Sequence, residues 1–128
     1  FKLVVDPSVN YSGYFDARSR SITMKQIDDS VYHELGHFLA FIAGNADKTA
    51  SFQSIFAAEK ANVTAFNKAY VTQNASEYFA ESVKDYILNN ASLKNTRPQT
   101  YAAVQNALNQ ITDAQIAKIQ KIYGAFWN

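Results

Sequence analysis

The chain contains only two histidines, and they stand four residues apart in the run His33-Glu34-Leu35-Gly36-His37. On a helix that spacing puts the two imidazoles nearly above one another, so both can reach one metal ion. Glu34 lies roughly 100° round the helix from His33, which brings its carboxylate beside the ion to meet a bound water and leaves it outside the coordination shell. The chemistry of such a set is zinc-assisted hydrolysis with Glu34 as general base. The bland alternative is a pair of ordinary helix histidines. For a lone His that would be the better reading; here the chain's whole histidine complement falls at metal spacing around a carboxylate.

A catalytic zinc takes three protein ligands and keeps one position for water. The chain has no cysteine, which excludes disulfides, thiolate catalysis and Cys-based zinc sites, so a third ligand must be Asp or Glu. The run Glu77-Tyr78-Phe79-Ala80-Glu81 offers two carboxylates on one helical face, with Phe79, Val83 and Tyr86 as the opposite, core-facing stripe. One carboxylate could bind the metal while the other hydrogen-bonds a ligand imidazole and fixes its tautomer. A solvated charged face, with Glu81 paired to Lys84, is the competing reading.

These residues need elements to position them. Asp28 and Asp29 are capping candidates for a helix over 29–43 that stops at Gly44-Asn45. Within it Val31, Leu35, Phe38 and Ile42 make an apolar stripe suited to packing on a sheet. His33 and His37 project from nearly the opposite side, and Ala40 and Gly44 follow on their face, small enough to admit substrate or another helix. Residues 1–24 read as β. Phe1, Leu3 and Val5 alternate with Lys2 and Val4 until Asp6-Pro7-Ser8 breaks the run, and 11–16 and 20–24 form a hairpin through Ala17-Arg18-Ser19. Later periodicity predicts helices over 48–69, over 76–89 after Asn74, over 98–110 with Pro98 in its first turn, and over 113–126 from the capping-box pattern Thr112-Asp113-Ala114-Gln115. A small sheet followed by helices is an α+β layout.

Composition bounds the rest. Residues 1–128 are 48% apolar and 18% charged, which suits one globular domain. The net charge of +1 gives no electrostatic argument for nucleic acid or an anionic membrane. The longest apolar run, Phe38 to Ala43, is far short of the roughly 18–20 residues of a membrane span. The N-terminus lacks a signal-peptide layout and starts inside a strand, which suggests an excised domain or a mature product. Sequons beginning at Asn62, Asn74 and Asn90 read as chance.

From about Tyr11 onward the chain resembles the catalytic domain of the anthrax-lethal-factor-like metallopeptidases, which include lethal factor and the secreted bacterial Pro-Pro endopeptidases. The resemblance rests on His33-Glu34-Leu35-Gly36-His37, Tyr70 and Glu77-Tyr78-Phe79-Ala80-Glu81. It implies a zincin-type, predominantly helical catalytic domain behind the small N-terminal β-sheet. It also implies Glu77 as the third ligand of one Zn²⁺ and Glu81 just outside the ligands in support. Tyr70, seven residues before the ligand Glu, would steady the oxyanion. The implied protein is a secreted bacterial endopeptidase acting on a protein or peptide; a monomer is expected. The chain lacks lethal factor's large delivery and docking domains. Ser76 stands where the Pro-Pro endopeptidases carry an acidic residue that pairs with a lysine, a departure that leaves Pro-Pro specificity open.

Arg20, Ile22 and Met24, on the strand directly before the active-site helix, are expected to form an edge to which an extended substrate adds. Three alternatives remain: a zinc hydrolase of non-peptide amides or esters, the catalytic part of a toxin that needs other domains for docking, and an inactive zinc-binding interaction module. The intact Glu34 argues against the last.

Overall fold

The computed structural model describes residues 2–10, 13–25, 28–65 and 67–123. Three short strands come first: β1 (Lys2–Val5), β2 (Gly13–Asp16) and β3 (Ser21–Met24). The expected hairpin forms, with Gly13 opposite Met24 and Asp16 opposite Ser21. Its turn is held by the Asp16 carboxylate, which accepts from the Arg18 N–H at 2.9 Å. Residues 11 and 12 of the expected strand lie outside the described residues.

The sheet order is β1-β3-β2, with β3 parallel to β1 and antiparallel to β2. This overturns the expectation that Arg20, Ile22 and Met24 form an edge for substrate. Lys2 to Val5 pair with Ser21 to Met24 on one side and β2 occupies the other, so β3 has no free ladder to offer. Ile22 and Met24 are fully buried.

Helix α1, which carries His33, Glu34 and His37, spans Ser30–Ile42. Asp28, not Asp29, serves its N-terminus by accepting from the Ser30 N–H at 2.9 Å. Its end is marked by Gly44 at φ 82°, the left-handed conformation that glycine adopts without strain. The single helix expected over 48–69 is instead broken into α2 (Ala50–Glu59), a 3₁₀ turn (Lys60–Asn62) and α3 (Lys68–Val71). Side chains at the break serve other segments. The Glu59 carboxylate accepts from the N–H groups of Gln99 at 3.1 Å and Thr100 at 2.7 Å, and the Asn62 amide donates to the Thr96 carbonyl at 3.0 Å. Val63 then turns extended and is buried. Phe66 lies outside the described residues.

Next come α4 (Ala75–Leu88), α5 (Asn90–Thr96), α6 (Pro98–Asn109) and α7 (Asp113–Tyr123). Helix α5 was not foreseen: of its seven residues only Leu93 is buried, so it carries no apolar stripe. Thr112 caps α7 as expected, accepting from the Gln115 N–H at 3.2 Å. The Gln115 side chain donates to the Ile42 carbonyl and does not complete the box. Residues 124–126 of the expected last helix lie outside the described residues.

The main core joins Ala40 of α1 to Phe52, Val71, Tyr78, Phe79, Val83 and Val104. On its other side α1 meets β2, where Phe15 stacks edge-on against Phe38 with ring centroids 5.6 Å apart. The layout is α+β, mostly helical with a small three-stranded sheet. No described helix is long and apolar enough to cross a membrane.

Candidate metal centre

Helices α1 and α4 approach one another more closely than two ordinary side chains would allow. A Cβ on Gly36 would stand 2.6 Å from the Ala80 carbonyl oxygen and 2.7 Å from its Cα. Backbone cannot swing aside as a side-chain tip can, so the crossing requires glycine. His33 and His37 flank Gly36 on α1, and Glu77 and Glu81 flank Ala80 on α4. The crossing therefore sets four polar side chains face to face.

Their distances are short. His33 Nε2 lies 2.8 Å from Glu77 Oε2, His37 Nε2 lies 3.4 Å from Glu77 Oε1, and His33 Nδ1 lies 3.0 Å from Glu81 Oε1. One donor atom from each of His33, His37 and Glu77 falls within 4.8 Å of the others, the only such group among the described residues. Glu77 is set by the start of its helix: its N–H donates to the Asn74 side chain at 2.8 Å.

The electrostatics follow from this crowding. Burial pulls the His33 pKa down, but the Glu77 and Glu81 carboxylates outweigh it and raise the value to about 9. Burial likewise opposes ionisation of Glu77 and Glu81, yet hydrogen bonds from the imidazoles hold both below the ordinary carboxylate range. Glu34 goes the other way. Burial raises its pKa against the pull of His33 and His37.

Glu34 stays outside the three-residue group and sits beneath β2, where a Cβ on Gly13 would come 2.7 Å from Glu34 Cγ. Tyr70 on α3 remains 54% exposed, with its ring centroid 6.2 Å from that of His33. Partial burial, then the charge of Glu77, raises the pKa of its hydroxyl. Both residues line one open cleft of about 240 Å³ with His37, Glu77 and Gly13, Tyr14 and Phe15 of β2.

The structure thus brings His33, Glu34, His37, Tyr70, Glu77 and Glu81 together. Arg20, Ile22 and Met24 do not reach the cleft; Arg20 borders a separate apolar hollow with Phe38 and Ile42. The residues missed from sequence are Gly13, Tyr14 and Phe15. A glycine inside a strand pattern marks close approach by another group, and that signal stood at Gly13.

Two imidazoles and one carboxylate are a zinc donor set. The His33–Glu81 bond fits the same use, because a carboxylate on Nδ1 leaves Nε2 as the ligand atom.

The family described as anthrax toxin lethal factor, N- and C-terminal domain, matches residues 15–107, from β2 through most of α6. Among curated proteins none matches this chain.

Proposed function

The chain belongs to the anthrax toxin lethal factor family (N- and C-terminal domain), and from that premise we propose that it is a zinc-dependent endopeptidase. The observation that carries the proposal is the convergence of His33, His37 and Glu77 donor atoms within 4.8 Å, with Glu34 outside the group and on the same cleft. In this reading those three residues hold one zinc ion. On family grounds the reading includes a bacterial protein exported from its cell.

When bound, zinc supplies a Lewis acid that polarises a carbonyl and acidifies a water. The chain's own residues do the rest. Glu34 takes the proton of the attacking water and passes it to the leaving amine. Its buried setting favours that cycle by raising its proton affinity. The Tyr70 hydroxyl, kept protonated by its surroundings, donates to the carbonyl oxygen as negative charge develops there. Glu81 fixes the His33 ring by accepting from Nδ1. Extended substrate runs along β2 in place of β3, since Gly13–Phe15 of β2 line the cleft and β3 is the central strand.

Incubating the protein with a mixed peptide library, with and without a chelator, tests this. Mass spectrometry should find new peptide termini that vanish with chelator and return with zinc. Termini that persist unchanged in chelator, or none with zinc present, would refute the peptidase reading.

A further inference from the structure

A second cleft, of about 220 Å³, adjoins the first and shares Phe15 and His37 with it. Phe15 and Phe41 pack against one another, ring centroids 6.0 Å apart, and together make an aromatic wall. Asp47, in the 3₁₀ turn after α1, also lines it and is only 5% exposed. Its Oδ2 accepts from the Ser76 hydroxyl at 2.7 Å, and among the described residues it forms no other hydrogen bond and no ion pair. Lys48, which borders the same cleft, is exposed and leaves Asp47 unpaired.

A buried carboxylate is ordinarily satisfied by a cation or by several donors. Asp47 has one neutral donor and an open cleft. A cation entering that cleft would meet the remaining carboxylate oxygen and the aromatic rings together, and both attract positive charge. The cleft adjoins the residues that would handle the scissile bond, so its occupant is a side chain next to that bond.

We propose that this cleft is a specificity pocket for a lysine or arginine side chain of the substrate, selected by Asp47 beside the paired rings of Phe15 and Phe41. The proposal rests on the peptidase reading above. Its requirement is stronger, for it demands a charge preference that zinc chemistry alone does not create.

The test is a peptide library varied at the positions flanking the cut, cleaved by the zinc-loaded protein and by Asp47→Asn. Asparagine keeps an oxygen for Ser76 and removes only the charge. Wild type should favour Lys or Arg at one flanking position. The ratio of kcat/KM for basic over matched neutral peptides should fall about 10- to 100-fold in the variant, the scale of a lost charged hydrogen bond. If Asp47→Asn does not fold, the wild-type profile still decides. Cleavage without a basic preference, or an unchanged ratio in the variant, overturns the pocket and leaves the peptidase standing. No cleavage of any peptide overturns both.

Discussion

The α1–α4 pair and the N-terminal sheet both border the candidate centre, and they are built on opposite terms. Between the helices there is no slack: Gly36 lies against the Ala80 backbone, and His33, Glu34 and Glu81 are all buried around the crossing. The sheet is tight only in its middle. Ile22 and Met24 of β3 are fully buried, whereas Leu3, Val4 and Val5 of β1 are 41–49% exposed. The groups proposed to hold an ion, a task that tolerates only a few tenths of an ångström, sit on the rigid pair. The part proposed for the sheet is to guide an extended chain, which tolerates more play. Five variants or conditions would break or sharpen this contrast.

The largest effect is expected at Glu34. Glu34→Gln should lower kcat about 10³- to 10⁴-fold while zinc stays bound, measured by peptide turnover and metal content together. Loss of the metal as well would make Glu34 part of the helix-pair scaffold.

Tyr70→Phe follows, with kcat down about 10²- to 10³-fold and substrate affinity nearly unchanged, as for one oxyanion donor. An unaltered rate would reduce Tyr70 to a packing residue.

Gly36→Ala then tests the crossing itself. The new methyl meets backbone and the helices must part, so stability should fall by about 1–3 kcal/mol and zinc retention with it. A melting curve like wild type's would show that the crossing has more room than the geometry gives.

The fourth prediction concerns the metal-free protein. His33 has its pKa raised to about 9 from 6.5. The stability it adds through Glu77 and Glu81 is therefore complete below pH 6.5 and lost as pH rises through about 9. The decline should be on the order of 1–3 kcal/mol, read from melts in chelator across that window. Zinc competes with a proton for Nε2, so its uptake should strengthen over the same rise. A flat melting profile would remove His33 from the carboxylate pair.

The smallest effect belongs to β1. Val4→Lys, at a 41% exposed position, should change stability by no more than about 0.5 kcal/mol. A large loss would mean that β1 is covered by something beyond these residues.

The same contrast explains what could be foreseen. His33, Glu34 and His37 declare themselves because their relation is local: one helical period carries it, and the Asp28–Ser30 and Gly44 signals bound the helix that realises it. Glu77 and Glu81 are half legible. Their spacing marks a shared face, but whether either meets His33 depends on the Gly36–Ala80 crossing of segments 44 residues apart. Strand order is less legible still. Nothing in the alternation of residues 20–24 says that β1 pairs with them, which is why the substrate edge was expected on β3 although β3 is the central strand and the strand lining the cleft is β2. The break after Glu59 hides for a related reason. The pull of Glu59 toward Gln99 and Thr100 acts across 40 residues, and no local propensity reports it.

Metal content, measured after exhaustive dialysis against zinc-free buffer, tests the central claim most directly. Wild type and Glu34→Gln should each keep one zinc per chain, and Glu77→Ala should lose it. Folded wild type without zinc, or Glu77→Ala that keeps the metal while Glu81→Ala sheds it, would contradict the account.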